Sequence, residues 1–183
     1  VQAIGVTQAE FFAFIRSADH ANRHFELIGG EIVESMPSDL MASNISARLI
    51  YLLMTYLETH DIGHVTGEAG GYHVGTDVYA PNVAFIRYER LPRLASKGFG
   101  AVPPDLAVEV VSTGESDENA RLTVRLSSYL AVVWIVRPDM RRVEVHTPGQ
   151  GPRILTQADE LDGGSLLPGF RIRVETLFSK TAS

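Results

Sequence analysis

The chain has 183 residues, 45% hydrophobic and 21% charged, with a formal net charge of −6 and no cysteine. This length and composition predict one globular domain over residues 1–183 with its own core, and exclude a disordered chain. Disulfides, thiol nucleophiles and thiolate metal sites are excluded too, so any metal must be held by oxygen or imidazole.

The acidic total argues against a general nucleic-acid coat, although a local basic surface is compatible with it. No uninterrupted apolar run approaches the roughly 18 residues of a membrane span. Val1 to Thr7 lacks a basic stretch followed by an apolar one. The expectations are a cytoplasmic location and no membrane partner.

Thr7 and Glu10 form a capping-box pattern, and Phe11, Phe12 and Ile15 follow at helical spacing, predicting a helix that ends near Ser17. Gly29-Gly30 between Phe25–Ile28 and Glu31–Ser35 predicts an antiparallel hairpin. Ile45, Leu49, Leu52, Leu53, Tyr56 and Leu57 trace one stripe of a main core helix over Ser43–His60.

Strands are predicted at His64–Glu68, Gly71–Val74, Val83–Ile86 and Asp105–Val111, with a long loop over Arg87–Pro104. A helix over Glu118–Leu130 follows. The turn Pro138-Asp139 then joins strands Val133–Val136 and Val143–His146, and Asp162-Gly163-Gly164 leads to a strand Phe170–Val174. Hairpins mixed with two packing helices predict a mixed α/β fold, a mixed sheet with a helix on each side.

Within Asp105–Val111, alternation puts Glu109 on one face with Asp105, Ala107 and Val111, opposite Leu106, Val108 and Val110. An ionised carboxylate in so apolar a strand must be paired, hydrogen-bonded or metal-bound. Two readings are open: a structural ion pair, for instance with Arg125, or a metal or catalytic carboxylate.

Phe25-Glu26-Leu27-Ile28-Gly29-Gly30-Glu31-Ile32-Val33-Glu34, Ala80-Pro81-Asn82-Val83-Ala84-Phe85, Pro104-Asp105-Leu106-Ala107-Val108-Glu109-Val110-Val111-Ser112 and Leu167-Pro168-Gly169-Phe170 through Leu177-Phe178 occur in an order and spacing that span nearly the whole chain. Together they resemble a bacterial restriction-type endonuclease family within the PD-(D/E)XK nuclease superfamily. The resemblance implies a restriction endonuclease-like core in which an aspartate after proline and a glutamate two strands later hold Mg²⁺ or Mn²⁺. A lysine then orients the water that hydrolyses a DNA phosphodiester. By position the glutamate is Glu109, the aspartate position is Asn82 and the lysine position is Arg125, so two of the three are changed.

Asn82 offers only a neutral carbonyl to a hard cation, and Arg125 stays protonated and is a poor base. The resemblance therefore implies a weakly active or degenerate Mg²⁺-dependent endonuclease, with DNA as partner and a homodimer as assembly. The alternative is a catalytically inactive interaction or DNA-binding module on the same fold. Glu68, where the family often has a glutamate, is the compensating ligand expected to complete a metal set with Glu109 and Asn82. Glu31, Glu34 and Asp77 are weaker candidates. Asp105 follows a proline but lies on the Glu109 strand, where the family also keeps an aspartate, so it is not the missing residue.

The pairs His20/His24 and His60/His64 have helical i,i+4 spacing but no third ligand, and read as capping histidines rather than zinc ligands. Gly98-Phe99-Gly100 reads as a loop. Arg87, Arg90, Arg93 and Lys97, with Tyr88 and Phe99, form a basic loop that either contacts phosphates beside the site or is plain surface. Tyr129-Leu130-Ala131-Val132-Val133-Trp134 has no turn where the family has a glycine and several more residues, so a shortened connection or missing residues are expected there.

Overall fold

The computed structural model describes residues 5–20, 23–35, 38–111 and 131–178. The Thr7 capping box is present with both of its reciprocal bonds, and starts α1 (Gln8–Ile15). A short 3₁₀ turn follows at Ala18–His20. β1 (Phe25–Ile28) and β2 (Glu31–Glu34) pair antiparallel across Gly29 and Gly30, whose φ values of 59° and 81° are open to glycine at little cost.

Helix α2 (Leu40–Leu57) starts three residues before the expected Ser43, because Asp39 caps it by accepting the Ala42 N–H at 2.8 Å. It has 18 residues, and by length and hydropathy alone it is apolar enough to cross a membrane, a property shared by core helices. In the fold one stripe of it, with Ala42, Ile45, Leu49 and Leu53, is buried.

The remaining strands are β3 (Gly63–Gly67), β4 (Tyr72–Val74), β5 (Asp77–Tyr79), β6 (Val83–Arg87), β7 (Leu106–Val110), β8 (Val132–Arg137), β9 (Arg142–His146), β10 (Arg153–Leu155), β11 (Glu160–Asp162) and β12 (Arg171–Arg173). A closing turn of helix, α3, covers Glu175–Phe178. The sequence reading lacked β5, β10 and β11, each only three residues long. Such lengths are too short to show a period of two. The expected helix Glu118–Leu130 and the turnless junction before Ala131 fall on or against residues 112–130, outside the described residues.

The mixed α/β architecture expected from the sequence is the observed one. Six strands form a sheet in the order β10-β9-β8-β7-β6-β3, and four form a second sheet in the order β2-β1-β5-β4. β7 and β8 are parallel, while the other pairs of the large sheet are antiparallel. One face of the large sheet packs Val83, Leu106, Val108 and Trp134 against α2 and the segment leading to α3. Its other face packs Ala84, Ala107, Val133 and Ile135 against Ile28, Tyr72, Val74 and Tyr79 of the small sheet. α1 closes the outer face of the small sheet through Phe11, Leu27 and Val78.

Phe99 links two distant parts of this outer layer. Its ring lies where a side chain on Gly71 would be, 1.9 Å from the position of an added Cβ, so only glycine admits it. It also meets Phe12 of α1 at a ring separation of 5.4 Å.

The α2 stripe sets a stability expectation. Leu49→Ala should destabilise the protein by about 2–5 kcal/mol and Asp39→Ala by about 1 kcal/mol, read from urea unfolding midpoints.

Candidate metal and catalytic site

The registers of three neighbouring strands converge on one row. Gly67 of β3 pairs with Val83 of β6, and Val83 pairs with Val108 of β7. One residue beyond these pairs stand Asn82 and Glu109, which project to the same face, while Glu68 follows β3 in an exposed turn. That face is the one Ala84 and Ala107 turn toward the small sheet. Alternation in Asp105–Val111 therefore assigned the Glu109 face correctly, and Glu109 is 4% exposed.

Pro81 and Asn82 end the β6–β7 ladder. The Val110 N–H, with no β6 backbone acceptor beyond this point, donates to Asn82 Oδ1 at 2.8 Å. This fixes the amide orientation, since a backbone N–H can only donate. The Asn82 Nδ2 group faces Ser38 Oγ at 3.4 Å, and Ser38 Oγ donates to Glu68 Oε2 at 3.3 Å. The single hydroxyl proton of Ser38 is thus spent on Glu68, and its oxygen is left to accept from Asn82. Arg125, the third expected member, lies outside the described residues.

One buried carboxylate, Glu26, escaped the sequence reading as a member of this region, and the weaker candidate Asp77 is committed elsewhere. Glu26, 4% exposed on β1, accepts the Ala80 N–H at 2.7 Å and the Ser35 hydroxyl at 3.2 Å. It holds the chain just before Pro81-Asn82. The signal was present, because alternation puts Glu26 on the same inward face as Ile28. Asp77 accepts the Gly29 N–H at 3.0 Å and the Tyr79 hydroxyl at 2.5 Å, so it ties the hairpin turn to β5 rather than supplying a ligand. Glu34 is ion-paired with Arg23, and Glu31 is exposed on β2.

Asp105 sits at the opposite end of β7, four residues or roughly 13 Å from Glu109. It accepts the Arg87 N–H at 2.9 Å, the Arg87 guanidinium at 3.0 Å, and pairs with Arg90 at 3.2 Å. Burial opposes its charge, but the bonds from Arg87 and the charges of Arg90 and Arg87 outweigh burial and hold the carboxyl below its ordinary value. Its separation from Asn82, expected from its place on the strand, follows.

The same contacts answer the question of the basic loop. Arg87 and Arg90 are committed to Asp105, Tyr88 donates to Asp61 at 2.7 Å, and Phe99 is packed on Gly71. Arg87 and Arg90 therefore lie at the Asp105 end of β7, away from Glu109, whereas Phe99 further along the loop reaches Gly71. One histidine of each pair packs on an aromatic ring: His20 stacks on Phe14 at 3.7 Å and His60 on Tyr56 at 4.2 Å.

Mg²⁺ takes a near-octahedral set of hard oxygen ligands. Among the described residues no group of three or more histidine, aspartate or glutamate side chains is placed to hold a metal. Asn82 adds only a neutral oxygen, already accepting from Val110, and turns its amide nitrogen toward Ser38. These residues do not fit a tightly held divalent cation.

Residues 9–175 match the model of the Uma2 family, described as a putative restriction endonuclease, and the chain belongs to that family. The crystal structure of a putative nuclease belonging to DUF820 from Anabaena variabilis ATCC 29413 superposes with a TM-score of 0.79 at 18% identity, covering 95% of this chain and 98% of that one. At that identity the likeness concerns the fold. No curated protein sequence matches the chain.

Asp105→Asn should cost about 1–3 kcal/mol at neutral pH, because it weakens charge-assisted bonds to Arg87 and Arg90. The folded carboxyl is lowered, so its contribution is present above its unfolded value of about 3.9 and disappears as pH falls through the lower folded value. Unfolding of wild type and variant followed from pH 7 to acid should therefore show the difference shrinking below about pH 4.

Proposed function

We propose that this chain is a PD-(D/E)XK-type nuclease-fold protein whose Mg²⁺-dependent hydrolysis of DNA is crippled at two positions, Asn82 and Arg125. Glu109 is the retained acidic ligand, Asn82 the substituted one, Glu68 the neighbouring carboxylate, and Arg125 a partner for phosphate or carboxylate. The observation that carries the reading is the strand register. It brings Asn82 beside Glu109, with Asn82 Oδ1 bound to the Val110 N–H.

A divalent cation held between two carboxylates would polarise the phosphoryl oxygens and lower the pKa of bound water. In this chain Glu109 supplies a buried carboxyl group and Asn82 fixes the strand end beside it. Replacing the aspartate with an amide removes one of the charges that offset cation desolvation. Arginine cannot act as the water-orienting base, a function worth about 10²–10⁴-fold in rate.

Nicking of supercoiled DNA in Mn²⁺ should accordingly be at least ~100-fold faster for Asn82→Asp with Arg125→Lys than for the wild type. Asn82→Asp alone should fall between them, and Glu109→Ala in the double variant should abolish the gain. A double variant as inert as Glu109→Ala sinks the reading.

Thermal unfolding gives a separate check. Asn82→Asp faces Ser38 with a second carboxylate and no second hydroxyl proton, so in EDTA it should melt below the wild type. Millimolar Mn²⁺ should raise its Tm by several degrees while leaving the wild type nearly unchanged.

A further inference from the structure

The face of α2 turned away from the core is uncharged and apolar along most of its length. Leu40, Asn44, Ala47, Tyr51 and Met54 follow one another at intervals of four, three, four and three residues, and all are exposed. This is the alternating spacing by which one helix presents a continuous seam to another. It lies directly opposite the buried stripe of Ala42, Ile45, Leu49 and Leu53. Leu40 is 91% exposed, Tyr51 68% and Met54 50%. Large apolar side chains grouped so openly are uncommon on monomers.

We infer that this face of α2 is the contact surface between two copies of the chain. The seam contains no lysine, arginine, aspartate or glutamate from Leu40 to Met54, so an identical face brings no like charges together despite the net charge of −6. The whole of α2 has one basic residue, Arg48, beside the seam. A helix that rests on anionic lipid carries a row of them.

Tyr51, exposed at the middle of the seam, is the kind of aromatic side chain that buries about 150–250 Å² in an interface, and Leu40 and Met54 extend the apolar surface to either side of it. With Asn44, Ala47 and the flanking side chains it forms the apolar centre that a standard interface of roughly 800 Å² per partner is built around. Antiparallel pairing about an axis near Ala47 opposes the two helix dipoles favourably and sets Leu40 of each chain near Met54 of the other.

The absence of cysteine makes a direct test available. Sedimentation equilibrium at tens of micromolar should give twice the 20.0 kDa chain mass for the wild type. Tyr51→Glu should raise the dimer dissociation constant by at least roughly 30-fold, the scale of a central aromatic contact. Ala47→Cys in the otherwise unchanged chain should form an intermolecular disulfide under mild oxidation, and Gln150→Cys on the exposed β9–β10 turn should not.

A wild-type monomer at these concentrations overturns the inference. So does a dimer that survives Tyr51→Glu without cross-linking through Ala47→Cys, which would place the contact elsewhere. Monomeric binding to phosphatidylcholine vesicles, lost in Tyr51→Glu, would make the face a lipid surface and also overturn it. The cross-link does not depend on Tyr51→Glu folding correctly.

Discussion

β7 is buried on both faces, and the rest of the molecule is arranged around that constraint. Every residue of Leu106–Val110 is buried, with Leu106, Val108 and Val110 against the helical layer and Ala107 against the second sheet. A strand enclosed in this way exposes no backbone group to water, so each must be paired within the fold. β6 and β8 meet most of that need. Where β6 stops at Pro81, a side chain takes over, and Asn82 supplies the acceptor for Val110. Asn82 is thus the terminus of the central ladder.

Such double use limits what evolution can exchange there. An aspartate and an asparagine can both accept the Val110 N–H, but only asparagine donates to Ser38 in return. Ser38 directly precedes the Asp39 cap of α2 and also holds Glu68. The amide thereby links the end of β7, through Ser38, to the Glu68 carboxylate that follows β3.

Much of this was legible in the sequence wherever the determinant was local. Thr7 and Glu10 gave α1, and Gly29-Gly30 gave the first hairpin with the right strand direction. The burial of Glu109 and its facing followed from alternation in one strand. What the sequence hid was pairing at a distance. β5 is three residues long and exists because it fits between β1 and β4. The meeting of Asn82 and Glu109 depends on a strand register that no segment specifies alone. Glu26 was visible as an inward-facing acid, but its partners at Ala80 and Ser35 come from other parts of the chain. The start of α2 was misplaced because the apolar stripe begins after the cap that defines it.

The contact of Phe99 with Gly71 has a mechanical consequence. Phe99 belongs to the long connection between β6 and β7, yet its ring rests on the β4 approach and against Phe12 of α1. One aromatic ring thus acts as a clasp holding the first helix, the small sheet and the longest described loop in a common position. A disturbance that withdraws it would loosen all three at once, so the flexibility of this side of the molecule should be shared rather than confined to the loop.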